Sequence, residues 1–351
     1  MRVPAFSSQL LSAAAAAVFL ASCGGGSSQP NASGFAPAAP QVRHATGYRP
    51  MVSAGGVMSV LPAGFKPNLH RPAWMKSAPD AGKVKPGLAV AQFGGDSVLW
   101  FLKSNHKNKP PRVCEPASST NGIRVDSAGD LWIPDGRADT TTEYAPNCGA
   151  AKLTIPDPTG EPADVALDRA GNVYILNINN TSGAPTVNAY KPTGKPIRTL
   201  SDPSFAVLFG VGTDRNGNVF VSNLTTSNVG NVVEFPKGKM PGTQLSGVSL
   251  GLPGTPAFDS HGNLIISDWF NGTIDVFAPP YTGAPTTSTL MGASIWCPLS
   301  RSEKRLYCGD AENGSIDVYA YPGGAYLYSY TASLSPSALV TGVSPFPALP
   351  Y

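Results

Sequence analysis

Val211-Gly-Thr-Asp214-Arg-Asn-Gly-Asn-Val219-Phe-Val221 reads as two short strands around a tight turn. Asp opens such a turn by accepting backbone N–H bonds. Gly takes the positive φ, and Asn tolerates the next position. Three other stretches align with it without gaps: 123–133 around Asp126-Ser-Ala-Gly-Asp130, 165–175 around Asp168-Arg-Ala-Gly-Asn172, and 256–266 around Asp259-Ser-His-Gly-Asn263. The anchors Asp126, Asp168, Asp214 and Asp259 stand 42, 46 and 45 residues apart. That period holds four short strands with their turns, the length of one propeller blade.

A second series keeps the same period. Phe101, Tyr144, Tyr190, Phe235, Phe277 and Tyr319 each lie near the end of a third strand, where they are expected to fill the space between blades. The last unit is degenerate in its first turn (Pro298-Leu-Ser-Arg-Ser-Glu-Lys304) and regular afterwards. The first unit, from residue 88, lacks an innermost strand. Residues 338–343 (Ala-Leu-Val-Thr-Gly-Val) form a strand with no blade of its own. The predicted fold is therefore all-β: a six-bladed β-propeller of four-stranded antiparallel blades, closed when the C-terminal strand joins the first blade. Closure removes the open sheet edges that invite aggregation. A seven-bladed ring that uses residues 51–80, or an open solenoid, is the alternative.

Composition agrees with many tight turns. There are 38 Gly and 35 Pro in 351 residues, and only 13% are charged. Net charge is +3 without long runs, so no basic patch points to nucleic acid.

The N-terminus reads as a targeting segment: Arg2, then the short apolar run LLSAAAAAVFLA at 10–21, ending in Leu20-Ala21-Ser22-Cys23. These four residues resemble the lipobox of bacterial lipoproteins. That resemblance implies cleavage before Cys23, its acylation, and membrane anchoring through the lipid. Gly24 stands where the family's inner-membrane retention signal has Asp, which favours the outer membrane. The expected division is 1–22 signal peptide, 23–80 lipidated Cys and flexible tether, 81–351 propeller. Residues 51–80 carry apolar residues without a clear period. An exported chain meets an oxidising compartment, and four further cysteines allow three pairings. Cys297 and Cys308 flank a predicted hairpin turn and are expected to pair across it, leaving Cys114 with Cys148. Their spacing is not that of a zinc site.

The repeated strand-D-x-x-G-N-strand-[DN] pattern resembles NHL-repeat propellers and the SMP-30/gluconolactonase-like group over about residues 85–345. Such propellers include enzymes, scaffolds and ligand binders. Blade topology puts the D-x-x-G-N turns on one face. The second-turn residues Asp135, Asn177, Asn223, Asp268 and Asp310, with Gln92 in the same place, fall on the other. Crossover residues Asn121 and Asp164 join them, and Trp269 follows Asp268. Such a face is expected to bind a protein or glycan. Oxygen ligands converging there could also hold Ca²⁺, although no cofactor is required and no metal ligand set is assigned. Asp and Asn also end strands simply because they stabilise turns. The lactonase-like group holds one divalent metal with Glu, Asn and Asp. Asn121-Gly122-Ile123 resembles one piece of that set, but no Glu stands in a corresponding position.

Catalytic residues remain unassigned. His44 and His70 lie in or near the tether, and His106 and His261 belong to the opposite face. Gly247-Val-Ser249-Leu-Gly251 matches G-x-S-x-G but is expected in an outer strand, without a helix or a His partner. The reading is a monomeric, membrane-anchored binding module, with a metal-dependent lactonase-like hydrolase as the alternative.

Overall fold

The computed structural model describes residues 48–52, 58–62, 86–93, 97–102, 111–114, 120–158, 160–180, 183–311, 313–331 and 339–348. The signal segment and Cys23 lie outside the described residues, as do His44, His70 and His106. The chain divides into two units, 1–64 and 65–351. In the first, Tyr48–Val52 pairs antiparallel with Met58–Pro62. This pair lies in the stretch read from sequence as tether.

The second unit is a propeller of six blades. Blade 1 is built from both ends of the unit. The closing strand Leu339–Phe346 pairs with Gly87–Phe93, followed outward by Ser97–Leu102 and Arg112–Val113. Blades 2 to 5 are four-stranded antiparallel sheets in chain order. Their second strands are Leu131–Asp135, Val173–Asn180, Val219–Leu224 and Leu264–Asp268. Blade 6 has three strands, Arg305–Asp310, Ser315–Ala320 and Tyr326–Tyr330. Its inner position is held by two isolated bridges, Ser294 to Asp310 and Leu299 to Leu306. Among the described residues the only helix is the 3-10 turn Pro236–Gly238.

Burial explains the strand sequences. A second strand has a neighbouring blade on each face, so Val219–Leu224 is buried throughout and loses polar alternation. The outer strand Thr286–Thr289 is open and reads TTST. Phe101, Phe235, Phe277 and Tyr319 are buried as the period predicts.

The four D-x-x-G-N turns share one geometry. Asp168 Oδ1 accepts from the amides of Ala170 and Asn172, both at 2.9 Å. Asp214 and Asp259 do the same for Asn216 with Asn218 and for His261 with Asn263. The glycines, 129, 171, 217 and 262, have φ of 92°, 75°, 79° and 82°, where a side chain would be strained.

Two disulfides are present, Cys114–Cys148 and Cys297–Cys308, in the expected pairing. The first links blade 1 to blade 2. The second ties the inner segment of blade 6 to its second strand, between the bridges Ser294–Asp310 and Leu299–Leu306.

Candidate functional site

Each second strand carries, at or near its end on one face of the ring, an Asp or Asn: Asp135, Asn177, Asn223, Asp268 and Asp310, with Gln92 in blade 1. Their antiparallel partners, Thr140, Thr186, Asn231, Thr273, Ser315 and Ser97, begin the third strands. Gln92, Asn177, Asn223, Asp268 and Asp310 are buried and Asp135 is half-buried.

Three of them, Asn177, Asn223 and Asp268, bond the crossover segment that enters the same blade. Asn177 donates to Asp157 at 2.9 Å. Asn223 donates to the Ser204 carbonyl and accepts from the Ala206 amide at 3.0 Å. Asp268 accepts from the amides of Gly251 at 2.7 Å and Leu252 at 3.1 Å, and from Asn271 in its own turn. Asp310 binds Asn313, and a Cβ on Gly292 of the incoming crossover would collide with its carboxylate. Asp135 caps its own turn through the Arg137 and Ala138 amides. Asn223 and Asp268 act as clasps, spending lone pairs on crossover amides that would otherwise lose their partners, whereas Asn177 fastens its crossover through the Asp157 carboxylate.

The crossover residue Asp164 does something different. It is buried on the inner strand of blade 3 (Gly160–Leu167). One carboxylate oxygen accepts from its neighbour Val165, and the other accepts from Val211 of blade 4 at 2.9 Å, with Thr255 of blade 5 at 3.4 Å. A Cβ on Gly122 of blade 2 would collide with the same carboxylate. Four inner segments therefore converge on this group. Burial pushes its pKa up to about 6, against the hydrogen bonds and the nearby Arg124 cation. Burial in turn lowers the Arg124 pKa, opposed by Asp164. Gly122 of the Asn121-Gly122-Ile123 match is thus required for space beside Asp164. Asn121 is half-buried at the start of the same inner segment.

No three carboxylates of this face converge among the described residues. The one such cluster is Asp126, Asp130 and Glu143 of blade 2. Lys152 Nζ sits 2.7 Å from both Asp130 and Glu143 and so already pairs with two of the three. His261 is exposed on the D-x-x-G-N face, beside Asp259. Gly247–Gly251 differs from expectation: the outer strand of blade 4 stops at Gln244, and the motif lies in the crossover to blade 5.

The sequence reading missed the apolar residues of the same face. Val229, Phe270 and Met291 are 44%, 49% and 54% exposed. They form a strip across blades 4 to 6. Gly230 bridges Leu250, Gly251 abuts Phe270, and the Leu290 amide donates to Gly272. Trp269 is half-buried beneath it, its amide bonded to Leu252. The available signal was Asp268-Trp-Phe-Asn-Gly272, an aromatic pair inside a turn where polar residues are the rule.

No protein-family model and no curated protein sequence matches this chain. Among solved structures, 1127 chains match significantly, a likeness too widespread to single out a function. A chain of the nidogen/laminin complex superposes with a TM-score of 0.64 at 17% identity, over 74% of this chain and 98% of that one. Virginiamycin B lyase from Staphylococcus aureus gives 0.47 at 15% identity, over 62% and 71%. A streptogramin B lyase gives 0.47 at 15%, over 72% and 75%. The nidogen-complex likeness shows the propeller architecture and no more, and the two lyase superpositions carry no argument.

Proposed function

We propose that this propeller is a protein-binding module that meets its partner through the apolar strip of Val229, Phe270 and Met291. The observation that carries this is the pairing of exposed large apolar side chains with rigid support. Asp268 fixes the crossover beneath Phe270 and the turn that bears it, so little ordering entropy remains to be lost on binding. Exposed apolar side chains that run together mark interaction surfaces on soluble proteins. The complex of nidogen with laminin offers a fold-level analogy for a protein ligand. In this reading the Asp/Asn set, Asn121 and Asp164 included, frames the surface, and a glycan is the other ligand class the face suits. The module is exported, acylated at Cys23 and held as a monomer at the outer membrane.

A photoreactive phenylalanine analogue at Phe270 or Met291 tests the surface in the cells that make the protein. The same analogue at Ser127 or Arg215 controls for the opposite face. Adducts of defined mass are expected from the first pair alone, and Asp268→Ala should weaken them. Equal adducts from both faces, or none from Phe270 and Met291, would remove the reading.

A further inference from the structure

The ring closes where blade 6 meets blade 1. On the D-x-x-G-N face this seam opens into a cavity of about 380 Å³, within the range of small-molecule sites. It lies opposite the apolar strip and serves no role assigned above. Arg301, Ser302 and Arg305 come from the degenerate turn of blade 6 and the strand after it. Tyr307 and Tyr330 come from the second and outer strands, and Phe346 from the closing strand.

Neither Arg301 nor Arg305 forms an ion pair among the described residues. The Arg305 guanidinium carbon lies 5.9 Å from the Tyr328 ring centroid, and that ring stands edge-on 5.7 Å from Tyr330. The Tyr328 face and a side-chain hydrogen bond to Tyr307, not an acid, thus hold the guanidinium in place. The carboxylate of the same turn, Glu303, is engaged elsewhere, accepting from Ser260 of blade 5 at 2.7 Å. Burial raises the pKa of Tyr307 and of Tyr330, so both phenols keep their protons at neutral pH.

We propose that the seam cavity binds an anionic monosaccharide, a single sugar ring bearing a carboxylate or a phosphate. The planar guanidinium groups of Arg301 and Arg305 match either anion as forked donors. The tyrosine and phenylalanine walls take the ring, and Ser302 offers a hydroxyl for its polar edge. The volume admits one ring with its substituent.

Calorimetric titration of the full chain with glucuronate, glucose 6-phosphate and neutral glucose tests this. At least one anion should bind saturably, and glucose at least tenfold more weakly. Preference between the two anions separates a carboxylate source from a phosphate source. Arg301→Ala removes an exposed side chain and Arg305→Lys keeps the charge but not the fork. Each should weaken the anion at least tenfold with an unchanged thermal midpoint. Phe270→Ser should leave it unaffected, which keeps this site distinct from the partner surface. Equal affinity for glucose, no saturable binding of either anion at millimolar concentration, or wild-type affinity in both arginine variants would overturn the proposal.

Discussion

On one face of the ring, Asp168 and Asp214 bond amides two and four residues ahead. On the other, Asp268 reaches amides 16 and 17 residues back. The side chain and the chemistry are the same. On the first face the carboxylate closes a turn that would form in an isolated hairpin. On the second it fastens a crossover to a blade, a contact that exists only once the ring is assembled. Local turn-closing and long-range clasping should therefore differ in cost when broken.

The largest effect is expected for Asp268→Ala. It strands the buried amide of Leu252 and the half-buried amide of Gly251, and each unsatisfied donor costs about 1–3 kcal/mol. A loss of about 3–5 kcal/mol in urea unfolding should follow. Asp214→Ala frees amides at the surface of a turn, where water replaces the carboxylate, and should cost about 1 kcal/mol. Equal losses would erase the contrast between the faces.

Asp164 extends the contrast, because its bond to Val211 spans 47 residues and it is ionisable. Its folded-state pKa is raised from 3.8 to about 6, mainly by burial. Between those values the folded protein holds a proton that the unfolded chain has released. Stability therefore falls as pH rises through this window, by about 3 kcal/mol in all at 1.36 kcal/mol per unit, and is level above it. Glu161, pushed up to about 7 by burial and by Asp139, adds a slope of the same sign. Urea midpoints at pH 4, 5, 6 and 7 should show the decline in the wild type. In Asp164→Asn the decline should shrink to the part left by Glu161 and the other carboxyls that burial raises, Asp126, Glu143, Glu234 and Asp275, and an unaltered slope would show that the Asp164 carboxylate is not desolvated as described.

These two ranges also decide what could be read from sequence. Blade period, strand order, ring closure and both disulfide pairings were legible, because a D-x-x-G-N turn is written in five consecutive residues. The positions of Asp135, Asn177, Asn223, Asp268 and Asp310 at one face followed from topology. Their bonding did not, because the amides they fasten belong to crossovers such as 251–252 that have no motif. Exposure of Phe270 was hidden for a related reason. An aromatic residue after a strand looks like core until the neighbouring crossover is seen to pass beside it.

The degenerate turn of blade 6 gives the finest test of local logic. Ser300 stands where the other blades have Asp, and its hydroxyl accepts from the amides of Lys304 and Arg305 at 3.3 and 3.1 Å. The Ser300 amide closes on Arg305, five residues on, whereas the Asp259 amide closes on Asn263, four on. One inserted residue broke the gapless sequence alignment while the turn kept its form. Glu303, three residues after Ser300, has a φ of 53° where Gly262 has 82°. A side chain there costs about 1 kcal/mol. Gly262→Ala should therefore destabilise by about 1 kcal/mol. Glu303→Gly should gain less than that, since relief of strain is partly offset by backbone entropy and by the lost bond to Ser260. Thermal midpoints of the two variants should move in opposite directions. A fall in both would mean that the turn of blade 6 depends on the Glu303 side chain more than on its backbone, and that it has left the family of local turns on this face.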